Sequence, residues 1–503
     1  MRRIGAPQGL GEQRARGIWP RHWNSVIQTL NRGADPGHKS HEKRSPPLSQ
    51  ESAPILIIGG GASGLLVAVN LLQQDKNLRV VFVERLSKGP GAGVAYGTEH
   101  LGHLLNVPAG RMGAFPDRAD DFLNWLREKG PVHPAGRDWA ATDFAPRRIY
   151  RDYLRSLIVP FGPEGDGRLE MVAGEVADLV MTGNGFVAQL GAGQQIHARA
   201  AVLASGNEGP TGSGDGRILS GWDDSAVGQI DRDAEVGMIG TGLTMIDNVI
   251  TLLDNKHRGR ITALSRRGLL PQPHVPGVQA QPIDQTDVPF GARMPQLTGW
   301  LRQRIHEAEA DGVDWRAVVD GLRPHTQALW MSLADDEKRR FLRHGRAWWD
   351  VARHRMAPEI AERIKDARIR GQLAIGRARI LGIEPKADGG AEIRFRRPGA
   401  QAEDRLRCDV AIECRGRSGN IDQSRNPLIR RLAQRGVIRP DRLHLGVDVD
   451  EHGAVIDREG QSVEGLLAVG PLTIGRLWEI IAVPDIRQQA ADLAAHLIAR
   501  IRR

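Results

Sequence analysis

Apolar and polar positions alternate along this chain in a pattern that is used twice. An apolar run, 55–58, stops at three glycines, Gly59, Gly60 and Gly61. Helical spacing follows over 65–74, and a second apolar run, 79–83, stops at Glu84. The same order returns with the run 235–239, the glycines Gly240 and Gly242, a helical pattern from Leu243 and a strand over 260–265. Both stretches read as strand, glycine turn, helix, strand. Short amphipathic helices are predicted over 120–129 and from 146, and strands with glycine turns over 169–172, 186–190 and 200–204. Helical periodicity interrupts at 295–370, strands resume at 380–395 and 410–414, and a final strand, 465–469, precedes a helix over 485–501. The strand 202–206, ending in small residues and glycine, is echoed by 410–416, so the chain holds two similar α/β units.

The turns carry the chemistry. Gly59 permits the tight turn, Gly61 lets backbone approach a pyrophosphate, and Gly64 lets the helix pack on the strand. Phosphates suit the free N–H groups of a helix start, and Glu84, 25 residues after Gly59, is placed for ribose hydroxyls. In the second unit the acid is replaced: the strand runs into Arg266 and Arg267. An acid there selects NADH, whereas arginine accommodates a 2′-phosphate, so NADPH is expected ahead of NADH. A plain arginine pair at a strand end is the alternative. Residues 89–97 are too glycine-rich for a helix and read as a loop over the nucleotide. Asn106 and Arg111, in a short proline-bounded segment, fit either contact with a flat ring or ordinary loop packing.

Length and charge narrow the picture. The 503 residues exceed one ordinary core, and two or three domains are expected. The net charge is +9, yet residues 1–50 alone hold nine Lys/Arg against three Asp/Glu, and the remainder carries only 60 against 57. The body is therefore not a nucleic-acid surface. Residues 1–50, with Trp19 and Trp23, read as a disordered basic extension without a secretory signal; a membrane or partner-binding arm is the alternative. No apolar run spans a bilayer. The two cysteines, Cys408 and Cys414, are ~20 Å apart if they share one strand, too far for a disulfide. No metal site is expected, and the expected location is cytoplasmic. The segment 295–370 holds five of the eleven tryptophans and the basic groups Arg339-Arg340 and Arg353-His354-Arg355. It reads as a helical cap whose tryptophans are core and whose arginines are solvated, or one that closes over a small anionic or polar substrate.

Several stretches together resemble the two-dinucleotide-binding flavoproteins: GGGASG at 59–64, GVAYGT at 93–98, HLLNVPAGRMGAFPD at 103–117, PRRIYRDYL at 146–154, LASGN at 203–207, GTGLTMID at 240–247 and GPLTIGRLWEIIAVPDIR at 470–487. Within that group the chain is similar to a family that includes a flavin-dependent urate hydroxylase and an aspartate N-hydroxylating enzyme. The resemblance implies an α/β fold of two Rossmann-like dinucleotide-binding domains in the glutathione-reductase-like arrangement, the second inserted in the first. The expected boundaries are 51–206 and 408–503 for the FAD-binding domain and 207–407 for the NAD(P)H-binding domain, with the helical insertion 295–370. It implies that Gly59, Gly61, Ala62, Ser63, Gly64 and Glu84 hold the ADP half of FAD. Asn106, Val107 and Arg148 then lie near the flavin or its ribityl chain, with Val176 and Gly206 also in the cofactor set. Gly470 and Pro471 close over the ring, and Gly240, Gly242, Arg266 and Arg267 hold NADPH. The broader group has Gly-Asp where this chain has Gly470-Pro471.

Two cofactor turns in one chain imply hydride transfer from NADPH to FAD, and no C-x-x-C follows the first unit to take the electrons onward. The leading expectation is a monooxygenase using O2 and a flavin hydroperoxide on a small nitrogen-containing substrate, such as a urate-like heterocycle or an amino acid. A reductase serving a protein or quinone partner, or a redox-sensing flavoprotein without catalysis, is the alternative. His274, Trp478 and Glu479 are the candidates for substrate contact.

Overall fold

The computed structural model of the chain describes residues 53–85, 88–191, 193–416 and 419–502. The basic extension expected over 1–50 lies outside the described residues. Two parallel sheets organise the rest. The first has six strands in the order Ala454–Ile456, Ser462–Ala468, Ala200–Leu203, Ile55–Ile58, Val80–Glu84, Leu169–Ala173. All its pairings are parallel except that of Ala454–Ile456. Ile55–Ile58 is buried on both faces. Ile55 and Ile57 join a core with the helices Ala62–Gln74 and Val483–Ile501. Leu56 and Ile58 join a second core with the antiparallel strands over 176–198 and the helix Pro427–Arg435. A continuous apolar run rather than an alternating one is what such a doubly covered strand requires.

The second sheet has five parallel strands in the order Leu373–Arg377, Ile261–Ser265, Val236–Ile239, Val410–Glu413, Ile218–Ser220. The helices Leu243–Asp254 and Pro358–Ile369 cover one face, and a three-stranded meander, Arg379–Pro385, Ala391–Arg396 and Asp404–Cys408, covers the other. Val410–Glu413, expected within 408–503 as part of the FAD-binding domain, is instead a strand of this second sheet. The echo between 202–206 and 410–416 explains its place: Ala200–Leu203 pairs with Ile55–Ile58 as Val410–Glu413 pairs with Val236–Ile239. The cysteines do not share a strand either. Cys408 ends a meander strand, and Cys414 follows the parallel strand; both are buried and free.

The helical segment divides in a way its periodicity hid. Pro358–Ile369 buries Ile360 and Ile364 in the second core. The helices Met294–Ala310, Trp315–Gly321, Thr326–Ser332, Asp335–Arg340 and Arg346–Arg353 form the cap proper. Trp330 anchors it: it stacks on Trp478 at 4.6 Å, donates its indole N–H to the Gly475 carbonyl at 2.8 Å and lies in the first core. Trp348, by contrast, is 53% exposed. The arginines are not all solvated. Arg355 is 2% exposed and makes two bonds to Asp320, at 2.7 and 3.0 Å. Arg323 bonds Asp485 at 2.9 Å. Desolvated cations persist only when paired in this way.

The two sheets are tied through residues 98–103 and Arg147. His103, buried, bonds the Thr98 hydroxyl at 2.8 Å through Nδ1. Its Nε2 lies 2.8 Å from the Thr251 hydroxyl and 3.0 Å from the Asp247 carbonyl, both on the helix Leu243–Asp254. Arg147 bridges to Asp247 at 2.8 Å. Among the described residues no helix is long and apolar enough to cross a membrane.

Gly59 is the tightest corner. Its φ is +113°, and a Cβ there would lie 2.3 Å from the Ala204 carbonyl oxygen. Gly59→Ala is expected to cost on the order of 3 kcal/mol through backbone displacement and strain together, read as a lowered thermal midpoint with a reduced flavin-to-protein absorbance ratio.

Candidate functional site

Both glycine turns open on one continuous cavity of about 1650 Å³. Gly59, Gly61, Ala62, Ser63 and Glu84 line one end, and Gly240, Gly242, Arg266 and Arg267 line the other. Asn106, Val107, Val176, Gly206 and Pro471 line it as well, as do Trp478 and Glu479.

The turns are built for anions. The helix Ala62–Gln74 starts at Gly61 and the helix Leu243–Asp254 at Gly242; neither start has a side-chain cap or an acid in its first turn. The first N–H groups therefore point outward without an internal acceptor, and the positive end of each helix dipole is uncompensated. Nothing lies within 4 Å of a Cβ placed on Gly242, and only the Gly93 backbone, at 3.7 Å, on Gly61. A pyrophosphate can sit on either turn against bare backbone, so the residues present fit a dinucleotide at each. Glu84 accepts from the Gly60 N–H and, at 3.0 Å, from that of Arg85, which holds its carboxylate at the turn. The glycine-rich loop lies over this turn as its composition predicts: Gly91 donates to the Gly60 carbonyl at 2.8 Å.

Other expected residues stand elsewhere. Gly64 packs rather than lines: a Cβ there would be 2.2 Å from the Gly59 carbonyl oxygen. Gly470 lies behind the cavity, with φ +69° and a would-be Cβ 2.3 Å from the Ser63 hydroxyl. Arg148, expected near the flavin or its ribityl chain, does not line the cavity. It points to Glu99 at 3.5 Å and is about half exposed, while its neighbour Arg147 lines the cavity. The helix Arg147–Ile158 gives the reason: successive residues lie about 100° apart, so only one of two adjacent arginines faces inward. Sequence spacing alone did not say which.

His274 is not in the cavity wall. Its Nε2–H donates to the Asn106 carbonyl at 3.1 Å, and its ring tilts against Phe144 at 5.0 Å. It thus buttresses the segment carrying Asn106. Burial pushes the imidazole down to about 4. Glu479 is buried with φ +67°, accepts from the Trp349 indole N–H and from Arg353 Nε at 3.1 Å, and so clasps the last cap helix to the C-terminal loop. The cap adds wall residues that sequence reasoning left unnamed: Leu342, Arg343, Arg346, Ala347, Asp350 and Val351. They follow from a π-helical turn, Phe341–Gly345, feeding the helix Arg346–Arg353; such turns concentrate at functional sites. Arg346 lies 3.3 Å from Asp350. Cys414 lines this cavity and Cys408 lines a smaller cleft behind the second sheet. Burial raises both thiols, that of Cys408 to about 11, which keeps them protonated and poorly nucleophilic.

Residues 56–208 match the protein family described as FAD-NAD(P)-binding. A comparison with curated protein sequences gives no match. Among solved structures the chain is similar to the Kutzneria sp. 744 ornithine N-hydroxylase with reduced FAD, NADP+ and L-ornithine (16% identity, 89% of this chain and 99% of that one, TM-score 0.61). It is also similar to L-lysine 6-monooxygenase from Pseudomonas syringae (15%, 89% and 99%, 0.60) and to the reduced ornithine hydroxylase from Pseudomonas aeruginosa (16%, 89% and 99%, 0.58). At such identity the likeness is one of fold. The family match over 56–208 and the fold shared with these structures agree with two dinucleotide-binding units in one chain. FAD and NAD(P) are its cofactors.

The low value at His274 has a consequence with a definite sign. The unfolded imidazole takes a proton below about 6.5, the folded one only below about 4. Between these values the unfolded state binds more protons, so stability falls as pH drops from about 6.5 to about 4. Thermal midpoints across this window are expected to decline less steeply in His274→Gln, which cannot titrate.

Proposed function

We propose that this protein is an FAD-dependent, NADPH-consuming monooxygenase that hydroxylates a small nitrogen-containing substrate. The observation that carries the reading is the single cavity shared by two bare helix starts, walled on its remaining side by a cap with both polar and apolar groups. Proteins of the same fold are described as ornithine hydroxylases and a lysine monooxygenase, which supports amine oxygenation over other flavin chemistry.

In this reading the first turn, with Glu84, holds FAD and the second, with Arg266, holds NADPH. The chemistry supplied by the bound flavin is hydride uptake from NADPH and activation of O2. The protein binds, orients and excludes water. Asn106, Val107 and Pro471 line the cavity between the two turns. Leu342, Ala347 and Val351 give the cap wall its apolar part, which keeps water away from the reacting centre. Arg343, Arg346 and Asp350 give it charge of both signs, which suits a small polar substrate. The Glu479 clasp holds this wall shut against the C-terminal loop. No Ser–His–Asp or paired-carboxylate device is required, because the cofactor carries the hard step.

Two experiments test this. NADPH oxidation by the FAD-loaded protein, measured across a panel of amino acids, amines and purines under labelled O2, is expected to accelerate with one substrate and to place one labelled atom in the product. Accelerated oxidation without label in any product points to a reductase and sinks the proposal. In Glu479→Ala the cap loses its clasp and Arg353 is left buried without its partner. NADPH consumption then continues while the yield of hydroxylated product per NADPH is expected to fall about tenfold, on the scale of one lost charged contact.

A further inference from the structure

The pairing of strands at the second turn places together arginines that lie about 110 residues apart in the chain. Ile261–Ser265 and Leu373–Arg377 run parallel in a register that sets Arg377 beside Ser265, the residue before Arg266. Ala378 donates its N–H to the Ser265 carbonyl at 2.8 Å, so Arg377 and Arg379 flank that bond. The loop beyond is held rigidly. The Ser265 hydroxyl accepts from the Gly268 N–H at 3.0 Å and lies 2.9 Å from that of Thr241, which also bonds the Leu269 carbonyl at 2.5 Å. A Cβ on Gly268 would touch that of Arg377 at 3.4 Å, so loop and neighbouring strand are in contact.

Arg266, Arg377 and Arg379 all line the large cavity, and all are exposed. Among the described residues none of the three takes part in an ion pair or a side-chain hydrogen bond. Two other arginines nearby, Arg415 and Arg267, are engaged elsewhere. Arg415 is neutralised by Glu413 at 2.9 Å. Arg267 reaches the His344 carbonyl at 3.4 Å and lies over the Trp348 ring at 5.9 Å, so it leans on the cap. Three exposed guanidinium groups without acidic partners, brought together at one end of two paired strands, suit a dianion.

We infer that Arg266, Arg377 and Arg379 together form the site for the 2′-phosphate of NADPH, and that Arg377 and Arg379, contributed by the adjacent strand and the start of the meander, are the specificity-determining members. This rests on the proposal that the second turn holds NADPH, and deepens it. Arg377 also borders the smaller cleft of about 410 Å³ between sheet and meander, so its side chain has room to swing onto a ligand.

The test needs no turnover. Binding of adenosine 2′,5′-bisphosphate and of ADP to the FAD-loaded protein is measured by titration calorimetry; both ligands carry two phosphates, and only one has the 2′-phosphate. The wild type is expected to prefer the bisphosphate by at least about tenfold. Arg377→Ala and Arg379→Ala are each expected to weaken the bisphosphate by about tenfold, the scale of a charge-assisted bond, while leaving ADP unchanged. Unchanged ADP affinity also reports that each variant is folded at the site, and Arg377→Lys is expected to restore part of the loss. Retention of the full preference in both alanine variants overturns this assignment and leaves NADPH use intact. Absence of any preference in the wild type overturns the assignment and the NADPH reading alike. Neither outcome bears on whether the flavin chemistry is oxygenation, which the labelled-oxygen experiment reads separately.

Discussion

Everything in this molecule depends on backbone packed against backbone at two glycine corners. At Gly59 the chain turns against the Ala204 carbonyl, and at Gly240 against that of Cys414, where a Cβ would come within 2.3 and 2.7 Å respectively. No side chain fits at either corner, and the cap positions just beyond, Gly61 and Gly242, are themselves glycines with no side chain to cap the helix. The bare helix start is the outcome, and it is what an anion needs. Structural necessity and binding capacity therefore come from the same residues, and a methyl group added at Gly59 damages both.

Around these corners the protein arranges charge by opposite rules in different places. Where elements must stay together, charges are paired and desolvated: Arg355 with Asp320, Arg323 with Asp485, Arg353 with Glu479 and Arg147 with Asp247. These pairs, with His103 between Thr98 and Thr251, fix the second sheet and the cap relative to the first sheet. At the edge of the second sheet the arginines are left without acids. Buried pairs of the first kind add little net stability over apolar contacts, but removing one partner is costly, so they set geometry rather than supply free energy. Unpaired groups of the second kind hold no element in place and are left open to an anion, the use inferred for them above.

The sequence made the two strand–turn–helix units legible because glycine spacing, apolar runs and the residue ending the second strand are local features. The cap was legible as helical, yet its division was not: Pro358–Ile369 has the same periodicity as the cap helices and differs only in what it packs against. The strand Val410–Glu413 was legible as a strand, but its sheet depends on partners more than 170 residues away. Arg148 and Arg147 are adjacent in a helix, and which one faces inward is a matter of helix phase. His274 lay in a segment with no pattern of its own, and its role as a prop for Asn106 needs a carbonyl from a distant loop.

What the chain by itself determined is thus the set of local devices: two glycine corners, two bare helix starts, Glu84 at one and arginine at the other, and a tryptophan-rich helical interruption. What only the tertiary structure decided is which devices share a space. Parallel strands draw their neighbours from far along the chain, so the joining of both turns in one cavity, the cap wall of Arg343, Arg346 and Asp350, and the placing of Arg377 beside Ser265 are properties of pairing and packing. No sequence window contains them, because the energy that brings them together comes from apolar cores assembled across the full length of the two sheets.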